Sequence, residues 1–209
     1  NLHYFWDLEQ GNPYLITKFP SPGSVEGFKA FPPTPEQLIN EIVESDYIVK
    51  TQKPRYMDEA GWKNENERAQ FIEENNLRFL RDYQMKAVQA LQKSVGEGKS
   101  RFLFEMATGT GKTLTAAAVI KLFLRTRNAH RVLFLVDRLE LEDQAQKAFK
   151  QLLKIDFKTV IYKENRDDWQ SAEIVVSTVQ SLLFNNKFRR LFSPTDFDLI
   201  ISDEAHRSI

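Results

Sequence analysis

The sequence predicts an α/β domain on a mostly parallel sheet, occupying residues 77–209. Three observations carry this. From Leu77 onward, stretches with helical periodicity alternate with short apolar runs, the order of a sheet whose crossovers are helices. Runs such as Val132–Val136 are apolar throughout rather than alternating, which fits strands covered on both faces. A further run, Arg101–Met106, empties into the glycine-rich segment Ala107–Thr113, where a helix starts.

Bulk properties narrow the class. With 209 residues the chain holds one ordinary domain plus extra, or two small ones. No apolar run approaches the roughly 18 residues of a spanning helix, so no membrane partner is expected. There is no cysteine, which excludes disulfides, thiolate metal sites and a cysteine nucleophile. His3, His130 and His206 are too dispersed for a histidine-rich metal site. The chain opens on Asn1 without a charged-then-apolar leader, and it reads as a piece of a longer protein. The net charge of zero hides an asymmetry. Residues 1–76 carry 7 basic and 13 acidic side chains, and residues 77–209 carry 22 and 16. The second part is therefore compatible with a polyanionic partner.

The elements are expected in the following order. Residues 1–19 read as a hairpin, with Leu2, Tyr4 and Trp6 alternating, turn chemistry at Gln10–Pro13 and a second strand at Tyr14–Thr17. An isolated hairpin is marginal in water, so residues 1–30 are read as the last hairpin of a preceding domain and a linker rich in Pro and Gly. Residues 31–76 form a helical connector. In it Thr34 is the expected N-cap, Pro35 the first helical residue and Gln37 the partner in a capping box. Leu38, Ile39, Ile42 and Val43 make the apolar stripe, residues 46–62 are irregular, and a polar helix covers about 65–74. The regular part follows: a helix from Asp82 to Val95 stopped by Gly96 and Gly98, a strand 101–106, a helix 112–127, a strand 131–136, a helix 139–153, and strands 158–162, 173–177 and 199–202.

The glycines of Ala107-Thr108-Gly109-Thr110-Gly111-Lys112-Thr113 let backbone N–H groups turn inward toward phosphate oxygens, and the helix N-terminus adds partial positive charge. Lys112 is placed to reach β- and γ-phosphates and Thr113 to hold Mg²⁺. The strict G-x-x-x-x-G-K-[ST] pattern has Gly where this chain has Met106. The strand Leu199–Ser202 ends in Asp203-Glu204-Ala205-His206. An acid at a neighbouring strand tip holds Mg²⁺, and one residue on, a base orients the attacking water. Asp203 and Glu204 suit those roles.

At these residues the chain resembles the superfamily 2 helicases and translocases. Ala107–Thr113 is similar to motif I and Asp203–His206 to the DEAH form of motif II. Leu80–Gln84 resembles the segment whose Gln reads adenine, Val136–Leu141 motif Ia, and Val176–Leu182 the Thr-containing motif that touches the nucleic-acid backbone. The wording Met-Ala-Thr-Gly-Thr-Gly-Lys-Thr, Leu-Phe-Leu-Val-Asp-Arg, Ser-Thr-Val-Gln-Ser-Leu and Asp-Glu-Ala-His-Arg-Ser is similar to the motor (R) subunit of type I restriction endonucleases. Tyr4–Asp7 and Phe19–Pro22 resemble the exit from that subunit's nuclease domain.

The resemblance implies a RecA-like P-loop motor domain, incomplete at its C-terminal end, behind the tail of a nuclease-like domain. It implies a cytoplasmic ATP hydrolase moving on duplex DNA in a complex with modification and specificity subunits. ATP and Mg²⁺ would be gripped by Thr108, Gly109, Thr110, Gly111, Lys112, Thr113, Asp203 and Glu204, and the adenine by Gln84 with Arg81 beside it. DNA phosphates would be met at Arg138 and Thr178. Motif III and a second motor domain with its arginine finger would follow Ile209, so these 209 residues alone are expected to turn over poorly. Other roles stay open: Gln84 also suits a helix cap, Arg138 a plain surface position and Thr178 an N-cap. Glu97-Gly98-Lys99 matches a nuclease pattern in letters only, because it lies in a helix-ending glycine turn. Lys187, Arg189 and Arg190 read as a solvated loop. Two alternatives for the whole remain: a superfamily 2 DNA helicase without a nuclease, and a nucleotide-binding assembly module with little turnover.

Overall fold

The structure is a computed structural model that describes residues 3–5, 13–16, 19, 34–153, 155–162, 169–184, 188, 192–193 and 195–204. The expected turn at 10–12, most of the linker, the 187–190 cluster except Phe188, and His206 lie outside the described residues.

A small hairpin comes first, with β1 (His3–Phe5) antiparallel to β2 (Tyr14–Ile16) and His3 opposite Ile16. The connector follows as short helical turns: α1 (Pro35–Asn40), α2 (Val49–Gln52), a 3₁₀ turn (Tyr56–Asp58), α3 (Ala60–Lys63) and α4 (Arg68–Glu74). Residues 46–62, expected to be irregular, are thus largely helical turns. They fold around a small core of Val49, Tyr56 and Leu77, joined by Trp62, Phe71, Ile72 and Phe79. Such turns are too short to be stable alone, so tertiary packing makes them. The capping box expected at Thr34 does not form. Its hydroxyl donates instead to Thr126 O at 2.7 Å, and its N–H donates to Asn128 Oδ1 at 3.0 Å. The expected apolar stripe is cut to Leu38 and Val43, because α1 ends at Asn40 and Ile39 and Ile42 face outward.

The α/β part comprises α5 (Asp82–Gly96), α6 (Lys112–Arg125), β3 (Val132–Val136), α7 (Leu139–Leu153), β4 (Thr159–Ile161), β5 (Ile174–Thr178), α8 (Val179–Leu183) and β6 (Leu199–Ser202). Among the described residues four strands form one sheet in the order β4-β5-β3-β6, all parallel, the arrangement of a RecA-like domain. Side chains alternate across it. Val132, Phe134, Val136, Ile174 and Val176 turn to the face covered by α6 and α7, where Phe134 meets Phe149 edge-on at 4.8 Å. Leu133, Val160 and Val175 turn to the other face, against Tyr162, Trp169, Phe192 and Phe197. No helix among the described residues is long and apolar enough to cross a membrane.

One expected strand is absent. Residues 101–106 form none, although Phe102 and Phe104 lean on the core and Leu103 is 86% exposed. A strand exists only with a ladder neighbour, and among the described residues nothing pairs with this segment. β6 is hydrogen-bonded to β3 on one side, and its Ile200 is 59% exposed. The helix α8 was foreshadowed only by the N-cap reading of Thr178.

The register aligns the strand ends that matter. Val136 lies opposite Thr178, and Leu135 lies opposite both Ser177 and Ser202. Arg138, Thr178, Asp203 and Glu204 therefore leave the sheet at one C-terminal edge, where open α/β sheets hold ligands.

The connector is held to the far end of α6 by the Thr34 contacts, by Glu41 paired with Arg125 at 2.8 Å, and by Lys121. Lys121 is fully buried, donates to the Tyr47 carbonyl and lies 4.3 Å over the Tyr47 ring. The phenol of Tyr47 is itself pushed well above its ordinary range by burial and by the nearby Glu41.

Candidate nucleotide site

The loop before α6 is set by two glycines in left-handed backbone, Gly109 at φ +80° and Gly111 at φ +82°. Glycine takes this conformation without the cost other residues meet. At Gly111 the space is also closed: a Cβ there would lie 2.6 Å from Gln84 Nε2. Thr110 folds back on the loop, its hydroxyl donating to Ala107 O at 2.6 Å. Thr108 and Gly109 are exposed.

Gln84 is buried against this loop. Its Oε1 accepts the Arg81 N–H at 2.9 Å, and its Nε2 donates to the carbonyls of Thr110 and Gly111 at 3.1 and 3.2 Å. Both amide hydrogens are thus directed at the loop, making Gln84 a strut. Its neighbour Tyr83 adds a second strut: the hydroxyl donates to Thr110 O at 2.6 Å and accepts from Arg81 Nη1 at 3.2 Å.

Lys112 opens α6 and ion-pairs through Nζ with Glu204 Oε1. Glu204 stands in left-handed backbone at φ +53°, and its N–H donates to Asp203 Oδ1 at 3.0 Å. The Asp203 N–H donates to Leu135 O at 2.9 Å, which continues the ladder one step past β6. A non-glycine residue in this region stores about 1–3 kcal/mol of strain, and such strain gathers at working sites. The loop base and the acidic pair, 92 residues apart in the chain, are thereby brought together.

Beside the loop lies a cavity of about 530 Å³. Its polar wall is Arg81, Gln84, Thr110 and Thr113, and its apolar wall includes Ile72 and Phe79 from the connector side. The size suits a purine nucleotide base and sugar. Among the described residues no three of His, Asp and Glu gather as a self-sufficient metal site. An ion held mainly through phosphate oxygens needs only the Thr113 hydroxyl and an acid such as Asp203.

The two expected DNA contacts behave differently. Arg138 is exposed just past β3, with its Nε 3.7 Å from Asp137 Oδ2. Thr178 is buried, and both of its groups are spent inside the chain. Its N–H donates to Glu142 Oε1 at 2.7 Å, and its hydroxyl both accepts the Ser181 N–H at 3.1 Å and donates to Ser181 Oγ at 2.6 Å. Thr178 is thus the N-cap of α8. In this arrangement it supports its loop rather than facing solvent. The Glu97–Lys99 match is a surface ion pair at 2.7 Å, as the glycine turn implied. The sequence reading singled out neither Tyr83, Glu142 nor the apolar wall residues Ile72 and Phe79. Only Glu142 carried a signal, an acid at a position where α7 turns inward.

A model of the family described as type III restriction enzyme, res subunit, matches residues 78–209. The chain is similar to the type I restriction enzyme EcoKI endonuclease subunit of Escherichia coli K12, with 39% identity over 137 residues, 61% of this chain and 12% of that protein. It is similar to the EcoAI endonuclease subunit of Escherichia coli, with 36% identity over 141 residues, 66% of this chain and 17% of that protein. A Saccharomyces cerevisiae protein named as a candidate ATP-dependent helicase, IRC3, is 34% identical over 138 residues, 62% of this chain and 19% of that protein. The matches span less than a fifth of each of these relatives.

Proposed function

This chain belongs to the type III restriction enzyme res-subunit family, and we propose on that premise that it is the ATP-hydrolysing motor domain of a restriction-type DNA translocase. The relatives named for type I endonuclease subunits favour the type I class, with duplex DNA as track and modification and specificity subunits as partners. The observation that carries the reading is the meeting of Lys112 with Glu204 at the sheet edge, beside a cavity of nucleotide size.

In this reading Gln84 and Tyr83 hold the loop open while the backbone amides of Thr108–Lys112 receive phosphate oxygens. Lys112 exchanges its carboxylate partner for phosphate. Thr113 and Asp203 hold Mg²⁺, which supplies neutralisation of phosphate charge. Glu204 orients the attacking water and accepts its proton. Arg81 and the Phe79 side of the cavity enclose the base. Arg138 meets a DNA phosphate, and Thr178 seats the neighbouring loop.

The likeness to IRC3 supports a second reading, a DNA helicase of the same superfamily without a nuclease. Displacement of a third strand from linear duplex by the full-length protein and ATP tests the first. Third-strand displacement with duplex cleavage supports the restriction motor. Unwinding of a forked substrate without displacement or cleavage supports the helicase.

A further inference from the structure

Glu142 is a carboxylate, 3% exposed, in the first turn of α7. Nothing in the nucleotide chemistry uses it. It reaches across the sheet edge to the end of β5, where Oε1 accepts the N–H of Thr178 at 2.7 Å in a buried contact. Thr178 in turn caps α8 through Ser181. The helix that carries Glu142 begins one residue after Arg138. One buried acid therefore joins the starts of two helices at the same sheet edge, one beside the exposed Arg138 and the other beside the Thr178 loop. A buried charge is tolerated only where donors and helix N-termini meet it. Here the two N-termini it serves belong to adjacent strand–helix turns.

We propose that Glu142 is a positioning residue that fixes the spacing between the Arg138 turn and the Thr178 turn, so that both meet successive phosphates of one nucleic-acid strand. Phosphate contacts set register on the polymer rather than sequence preference, so their spacing governs how much DNA is needed to engage the motor. At Thr178 the side chain's reach matters more than its charge, because the donor it meets there is a neutral backbone N–H. This inference rests on the proposed DNA-driven motor.

The test uses the full-length protein with Glu142→Gln and Glu142→Asp. Gln keeps an oxygen acceptor at the same reach; Asp keeps the charge and withdraws the acceptor. Three quantities are read: the duplex concentration giving half-maximal stimulation of ATP hydrolysis, the Kd for a fluorescent ATP analogue, and the thermal midpoint. The expected result is that E142D raises the half-maximal duplex concentration about tenfold while the nucleotide Kd stays within twofold, and that E142Q stays within twofold of the unaltered protein in both. Equal duplex dependence in E142D and the unaltered protein overturns the proposal. So does a normal E142D beside a weakened E142Q, which makes charge decisive. An E142D that loses nucleotide and duplex together, with a fallen midpoint, makes Glu142 a plain core residue and overturns it as well. An unaltered protein that binds nucleotide but ignores duplex overturns the motor reading and this inference with it, a result visible before any variant is compared.

Discussion

Lys112 and Glu204, 92 residues apart, are joined by an ion pair between the first residue of α6 and the second residue past β6. Both side chains are partly buried, with 30% and 26% of their surface exposed, so the pair sits at a mouth rather than in the core. The arrangement makes the two residues separable by experiment. Lys112 is a phosphate ligand in the proposed reaction, whereas Glu204 acts on the water.

Lys112→Ala is expected to abolish nucleotide binding and turnover together. Glu204→Gln should bind nucleotide as tightly as the unaltered protein or more tightly, since the competing carboxylate is gone, while kcat falls by about 10²–10⁴. Equilibrium binding of a fluorescent ATP analogue, set beside steady-state hydrolysis, checks both. A Glu204→Gln protein with unchanged kcat removes Glu204 from the chemistry.

Gly111→Ala meets two obstacles, a left-handed φ of +82° and a contact of 2.6 Å with Gln84 Nε2. The backbone obstacle alone is worth about 1–2 kcal/mol. Nucleotide affinity should fall by at least tenfold, with a lower thermal midpoint. Adding Gln84→Ala relieves the contact but not the φ, so the double variant should recover part of the loss in melting temperature. Strict additivity of the two changes would show that Gln84 and Gly111 do not touch.

Tyr83→Phe removes one hydroxyl whose single short bond goes to Thr110 O. A hydrogen bond of this kind is worth about 0.5–1.5 kcal/mol. A rise in KM for ATP of about threefold to tenfold is expected, with kcat nearly unchanged, because the hydroxyl shapes the loop and touches no reacting atom. A fall in kcat at constant KM contradicts the role given to it.

Burial pushes the Lys121 ammonium from its ordinary 10.5 down to about 8, with Arg125 adding to the shift and Asp156 and Glu41 opposing it. Below about 8 the group is charged in the folded and unfolded chain alike, and its burial cost is fully present. Between about 8 and 10.5 the unfolded chain holds the proton and the folded chain does not, so stability from this group rises with pH. The bond to Tyr47 O survives, because a neutral amine still donates. Urea midpoints of the unaltered protein and Lys121→Met, taken at pH 7.5 and 9.5, should move apart in favour of the unaltered protein at the higher pH. The opposite movement contradicts a charged, desolvated Lys121.

The loop Ala107–Thr113 and the pair Asp203–Glu204 were readable because their chemistry is local: the glycines, the lysine and the acids stand in the order in which they act. Helices such as Asp82–Gly96 and Leu139–Leu153 were readable from one apolar face. Other features depend on partners distant in the chain. Residues 101–106 have the composition of a strand, but strand status needs a ladder neighbour. Thr34 has a capping box in its own sequence, and Thr126 and Asn128, 92 and 94 residues away, take its hydroxyl and N–H. The motif order pointed Gln84 at adenine, whereas the fold directs its amide at the loop carbonyls, a use that no spacing between residues 84 and 110 announces. Thr178 was read both as an N-cap and as a phosphate contact, and the fold realises the cap. The inward position of Glu142 on its helix was legible, but its partner, the Thr178 N–H, became visible only once β5 was in place.

ATP hydrolysis by the full-length protein, measured with linear duplex DNA, single-stranded DNA or RNA and with Glu204→Gln as control, tests the central claim most directly. The account predicts strong stimulation by duplex DNA alone, abolished in Glu204→Gln. Stimulation by RNA or single strands instead, or hydrolysis that survives in Glu204→Gln, would contradict it.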